Sequence, residues 1–263
     1  MISKFFEEVI VLSIRSDNPS VTEKQRNIKE QLESLGIAYT IWEGFNAYKI
    51  TNPSFANLTL PPNGLSDGKT RKKMRMGELG CLLSWVSVFQ YAKSKKIKGI
   101  LCLEDDVILS KDFKERMKML DEECSEDAGV IILGSNTYNK TVPKKTRLTE
   151  HIWEMNKSFS HFGTFCFIIT EKGYDAILDA EYSMKDIVDV NMIEECKRGE
   201  NNIKCYMMLP FCGYDPGQSS IAGKFQKNYS KLLWSETPTL ESCPAVNEKW
   251  EINRLGVWPK ELF

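Results

Sequence analysis

Only two histidines occur in the 263 residues, no two cysteines stand in a Cys-x-x-Cys pair, and no charge of one sign prevails. Long apolar runs are missing too, since none approaches the roughly 20 residues of a membrane-spanning helix. Each absence excludes something. The balance of 35 Lys+Arg against 36 Asp+Glu excludes a surface built throughout to grip nucleic acid. Without Cys-x-x-Cys, zinc-ribbon and thioredoxin-like readings lose their spacing. The first apolar run, Val9 to Leu12, follows Glu7 and Glu8 and is too short for a signal-peptide core. A hydrophobic share of 42% is too high for wholesale disorder.

Eight cysteines are present but scattered, and Cys102 and Cys166 sit inside apolar runs as small hydrophobes. That usage favours a reducing, cytosol-like compartment and a cytoplasmic location.

The hydrophobic pattern alternates between strands and helices. Residues 8–14 form a β-branched run and read as a strand. Residues 20–35 place Ile28, Leu32 and Leu35 at helical spacing, with Gly36 as the stop signal. Strands are expected at 38–42, 99–103, 130–134, 165–170 and 204–208. Helices are expected at 76–93, 111–124, 172–179 and 187–197. Residues 44–76 show loop punctuation instead of a period, as in Pro61-Pro62-Asn63-Gly64. Beyond residue 223 the chain turns irregular and rich in Trp and Pro. The expected organisation is one domain over 1–222 and a tail over 223–263 that wraps it. The fold class is α/β with a largely parallel central sheet.

In such sheets ligands bind at the carboxyl ends of strands. The 99–103 strand runs into Glu104-Asp105-Asp106. Alternation puts Glu104 and Asp106 on one side, where two carboxylates repel unless a cation lies between them. Mg²⁺ or Mn²⁺ takes such oxygen ligands and neutralises a departing phosphate. The competing reading is an acidic cap on the next helix. Five of the seven residues from Lys69 to Arg75 are basic. They form either an arm over a phosphate-bearing ligand or a solvated loop, and they lack the interleaved aromatics of a base-stacking patch. His151 and His161 each complete a metal site or serve structure.

The run from Gly77 to Ser84 (Gly-Glu-Leu-Gly-Cys-Leu-Leu-Ser), followed by Ile100 to Val107 with its Glu-Asp-Asp, resembles glycosyltransferase family 25. That family includes lipooligosaccharide galactosyltransferases and collagen hydroxylysine galactosyltransferases. Further segments match in order: Val9 to Arg15 with Arg26; Ile131 to Gly134; Gly163-Thr164 with Phe167 to Gly173; Val188-Asp189; and Pro210 with Gln218 to Ile221. The sequence departs from the pattern at Trp85, where the family has a histidine, and in the loop at 49–76.

The resemblance implies a GT-A-like, Rossmann-related fold. It implies transfer of a hexose, galactose first and glucose next, from a UDP-sugar to a hydroxyl on a glycan, glycolipid or protein. Mn²⁺ or Mg²⁺ would sit on Asp106 and Glu104. Glu104 or Asp105 would bond the donor ribose, and Ile14 and Arg15 would lie near the uridine. Gln218, Ser219 and Ser220 would touch the donor or its diphosphate. The family's galactosyltransferases invert the anomeric carbon, which needs a general base, and Asp189 is the candidate. Arg26 either adds positive charge or fixes its helix. Two other classes compete: a metal-dependent phosphohydrolase or nucleotidyltransferase using the same triplet, and a degenerate transferase fold that only binds.

Overall fold

The computed structural model describes residues 2–16, 18–49, 76–137, 146–155, 161–183, 186–198, 202–214, 250–253 and 256–259. In chain order the elements begin with β1 (Glu8–Ser13), α1 (Pro19–Ser34) and β2 (Thr40–Glu43). A single 3-10 turn (Ala47–Lys49), α2 (Met76–Lys95), β3 (Gly99–Glu104), β4 (Ile108–Leu109) and α3 (Phe113–Glu123) follow. Then come β5 (Ala128–Thr137), β6 (Ile152–Glu154), β7 (His161–Thr170), α4 (Tyr174–Tyr182) and α5 (Val188–Arg198). The series closes with β8 (Lys204–Met208), β9 (Gly213–Tyr214), β10 (Trp250–Asn253) and β11 (Gly256–Pro259).

Seven strands make the central sheet in the order β2-β1-β3-β7-β5-β8-β6. β1 pairs in parallel with β2 and β3, and β5 pairs in parallel with β8. β7 and β6 run against their neighbours, so five of the seven strands point one way. The sheet is largely parallel, as expected, in a Rossmann-like α/β arrangement.

Its strands read as unbroken apolar runs because both faces are covered. Ile10, Leu12, Ile100, Cys102 and Phe167 face a layer built from α2, α4 and α5. Val9, Val11, Leu101, Leu103 and Ile168 face a layer built from α1 and α3. α1 starts cleanly: Asn18 caps it by accepting from the Ser20 backbone N–H at 3.0 Å, and Pro19 fills the first turn.

Trp85 lies in the first of these layers, fully buried, 5.9 Å from the Phe89 ring and 5.3 Å from the Phe167 ring. The position where the family carries histidine is therefore a packing position in this chain. Among the described residues of the tail, β10 and β11 form an antiparallel hairpin with Trp250 opposite Pro259. The remainder of the 223–263 tail, the segment 50–75 with its basic run, and the domain boundary at 222 lie outside the described residues.

Trp85→Ala should lower the unfolding free energy by about 3–5 kcal/mol, as large-to-small changes in packed cores do. Urea denaturation measures it. Trp85→Phe should cost much less, because the indole N–H it removes has no hydrogen-bond partner.

Candidate active site

β3 ends at Glu104, and the chain turns at once, with the Val107 N–H donating to the Glu104 carbonyl at 3.3 Å. Strand alternation stops there, so the turn and not the pleat directs the next two carboxylates. Asp105 accepts a 2.5 Å hydrogen bond from the Ser13 hydroxyl at the end of β1. Asp106 reaches α1, where Lys24 Nζ lies 2.8 Å from its Oδ2. Two further devices hold the turn. The buried Gln31 side chain donates to the Val107 carbonyl at 3.3 Å and accepts from the Leu109 N–H at 2.7 Å. β4 then pairs with β9.

The charges in this turn are not balanced. Burial pushes the Glu104 carboxyl well above the ordinary carboxylate range, and repulsion from Asp106, Asp105 and Asp189 pushes it further; Lys24 offsets part of this. Burial raises Asp105 to about 6 against the pull of the Ser13 hydrogen bond. Lys24 is drawn the other way. Burial disfavours its ammonium, yet attraction to Asp106, and then to Asp105 and Glu104, outweighs that and raises its proton affinity.

Three residues that sequence reasoning passed over belong to this site: Lys24, Gln25 and Ser13. Gln25 donates to the Ser13 hydroxyl at 2.8 Å and to the Ile14 carbonyl at 3.3 Å, tying α1 to the end of β1. Lys24 had a legible signal. It falls on the same stripe of α1 as Val21, Ile28, Gln31 and Leu32, all buried. A lysine on a buried stripe calls for an anionic partner.

The Gly-Glu-Leu-Gly-Cys-Leu-Leu-Ser run opens α2, and its residue types now have reasons. Leu79 and Leu82 enter the core. A Cβ at Gly80 would come within 2.6 Å of the Phe45 carbonyl, so glycine lets the segment after β2 lie against the helix. Ser84 donates to the Gly80 carbonyl at 2.5 Å and accepts from the Phe45 N–H at 2.8 Å. The Phe45 backbone is thereby fixed just past the carboxyl end of β2, and the residue is 49% exposed. Burial raises the proton affinity of the Cys81 thiol, and the charges of Glu104, Asp189 and Glu181 raise it further.

Asp189 stands in the first turn of α5. It accepts from the Gly163 N–H at 2.7 Å and the Val190 N–H at 3.1 Å. Gly163 has φ +86°, a conformation that suits glycine, and so can aim its N–H at the carboxylate. Burial raises the Asp189 proton affinity, and these two hydrogen bonds restrain the rise. Its charge reaches Glu104, which places α5 beside the acidic turn. Behind it, Glu181 of α4 is fully buried and accepts from Asn191 at 3.1 Å, while Asn191 also donates to the Asp186 carbonyl at 2.8 Å.

The structure thus brings Glu104, Asp105, Asp106 and Asp189 into one region, with Ile14 half-buried and Arg15 exposed just past β1. Gln218, Ser219 and Ser220 lie outside the described residues. Arg26 does not join the site; it faces solvent 3.8 Å from Glu30. His151 serves structure, being buried with Nδ1 2.6 Å from Glu123, which also accepts from its backbone N–H. The His161 side chain lies outside the described residues. Among the described residues no helix is long and apolar enough to cross a membrane, and the seven cysteines are free.

Against known proteins, the model of glycosyltransferase family 25 (LPS biosynthesis protein) matches residues 8–192. The chain belongs to that family. Human procollagen galactosyltransferase 2 is 22% identical over 178 residues, covering 66% of this chain and 28% of that protein. The mimivirus procollagen lysyl hydroxylase and glycosyltransferase is 28% identical over 193 residues, covering 69% of this chain and 20% of that protein. Human inactive glycosyltransferase 25 family member 3 is 24% identical over 151 residues, covering 55% of this chain and 24% of that protein. The chain therefore spans less than a third of the length of these relatives.

Glu181 generates a prediction that needs no substrate. Burial raises its proton affinity well above the ordinary range, so the folded state holds this proton where the unfolded chain releases it. Stability should then fall as pH rises above the unfolded glutamate value of about 4.3. Glu181→Gln, neutral and of the same shape, should flatten that part of the stability–pH curve. Glu181→Ala should destabilise at every pH. Thermal melts from pH 4 to 8 measure both.

Proposed function

We propose that the chain transfers a hexose, galactose first and glucose next, from a UDP-sugar to a hydroxyl of a glycan, glycolipid or protein, with inversion. The observation that carries this reading is the carboxylate cluster at the carboxyl edge of a largely parallel sheet, in a member of family 25. Supporting it, the ends of β1 and β2 offer Ile14, Arg15 and the exposed Phe45. These would receive the uridine in a GT-A-like manner, with Asp105 or Glu104 on the ribose. Gln218, Ser219 and Ser220 complete the proposed donor contacts. The free cysteines favour a reducing, cytoplasmic setting.

The turn suits a hard cation. Its donors are all carboxylate oxygens, and their negative charge exceeds what Lys24 supplies. Among the described residues no group of three ligands converges, which fits a cation held by one or two carboxylates and completed by substrate phosphates. Asp106 and Glu104 would hold Mn²⁺ or Mg²⁺. When bound, it would neutralise the charge developing on the leaving diphosphate.

Asp189 has the properties of the base. Its oxygens are fixed by backbone N–H groups, and burial makes it more basic than an exposed aspartate. It would accept the acceptor hydroxyl's proton as the new glycosidic bond forms.

UDP release tests the reading. The protein is given UDP-galactose, UDP-glucose or UDP-N-acetylglucosamine, with Mn²⁺ and again with EDTA. One donor should release UDP only with the metal, and Asp106→Ala should lower the rate at least about a hundredfold. Asp189→Asn should lower transfer about 10²–10⁴-fold with UDP binding retained. The acid limb of the wild-type rate profile should lie above the ordinary aspartate value. Release of inorganic phosphate or pyrophosphate would favour the hydrolase or nucleotidyltransferase reading. A relative named inactive keeps the binding module in view, and neither turnover nor UDP binding would establish it.

A further inference from the structure

Lys24 sits where lysines are rarely found. It is 6% exposed, on the apolar stripe of α1, and its ammonium meets Asp106 Oδ2 at 2.8 Å. With Asn27, Asp105, Asp106, Val107 and Ile108 it lines a narrow cleft beside the acidic turn. A buried ammonium is costly unless anions surround it. Here Asp106 binds it, and Asp105 and Glu104 add their fields. The geometry gives Asp106 two suitors, the resident ammonium and any incoming divalent cation.

We propose that Lys24 is the built-in counter-ion of the acidic turn and competes with the divalent cation for Asp106. The inference rests on the metal and donor assignments above. Its consequence concerns how the ligands arrive. A cation alone meets an occupied carboxylate. A cation that comes with a diphosphate also brings new anionic oxygens, and the displaced ammonium can pair with them. Metal and nucleotide then bind cooperatively, each weak without the other, and Lys24 passes from the protein's acid to the substrate's. No bond is made or broken in this exchange.

Mn²⁺ binding measured by electron paramagnetic resonance, with no nucleotide present, tests the competition. Lys24→Met keeps the apolar stem and removes the charge. It should bind Mn²⁺ about tenfold more tightly than wild type, the scale on which an adjacent opposite charge alters a carboxylate's affinity for protons. Lys24→Arg should remain close to wild type. Equal or weaker Mn²⁺ binding by a folded Lys24→Met protein overturns the proposal. A wild-type measurement covers the case in which that variant does not fold. The rate at which an amine-acetylating reagent modifies Lys24, read by peptide mass spectrometry, should rise severalfold when saturating Mn²⁺ alone displaces the ammonium from Asp106; an unchanged rate overturns the proposal. UDP binding in saturating Mn²⁺, followed by calorimetry on the same samples, reports on the donor assignment separately, so either idea can fail without the other.

Discussion

The turn after β3 collects more negative charge than its surroundings neutralise. Glu104, Asp105 and Asp106 are consecutive, Asp189 acts on them from α5, and one ammonium, that of Lys24, is bonded to them among the described residues. Repulsion of this kind would open a freely moving loop. Here it is contained by restraint from several directions: the Ser13 hydroxyl on Asp105, Gln31 on the backbone at Val107 and Leu109, and the β4–β9 pairing beyond. The helix α1 supplies much of this. Lys24, Gln25 and Gln31 are polar residues that face inward, and each ends on β1 or on the turn. α1 is thus a brace for the acids as well as a cover for the sheet.

The helices on the other face do comparable work by different means. α2 approaches the segment after β2 closely enough that only glycine fits at Gly80, and Ser84 locks that approach with two hydrogen bonds. α5 brings Asp189 to the strand end and fixes it with the Gly163 N–H from β7. The site is therefore assembled from β1, β3 and β7 and from helices on both sides of the sheet. The acids hold position because their partners, the Ser13 hydroxyl, the Lys24 ammonium and the Gly163 and Val190 N–H groups, stand on regular elements.

Much of this was legible in the sequence. The long strands and all five helices among the described residues announce themselves by period, because each buries a face or a stripe. The sheet's direction followed from strand–helix alternation, and the acidic triplet stood out at a strand end. What escaped had no periodic signal. β4 and β9 are two residues each, and their pairing with one another is a tertiary fact. β6 is three residues that pair with β8, 52 to 56 positions away by sequence. Where Asp106 reaches is set by the turn, since the strand stops at Glu104 and Asp106 meets Lys24 of α1 beyond it. Lys24 was overlooked because α1 was read for its apolar residues alone, although a charged residue in register with them carried the more specific message.

One feature of the sheet bears on how the chain is made. β3 and β5 are close in sequence, yet they are separated in the sheet by β7, which pairs with both. Until residue 170 has left the ribosome, the β2-β1-β3 group and the later strands have no common neighbour. The first group meanwhile shows an unpaired, strongly apolar edge, Ile100 to Leu103, and Val130 to Leu133 of β5 wait for β7 on one side and for β8, made later still, on the other. Such edges are templates for pairing with other chains. At synthesis rates of about 5–20 residues per second, the roughly 65 residues separating β3 from the end of β7 keep the first edge open for several seconds. Nascent chains of this protein are for that interval natural clients of chaperones that cover strand edges, and β7 is the keystone whose arrival ends the need.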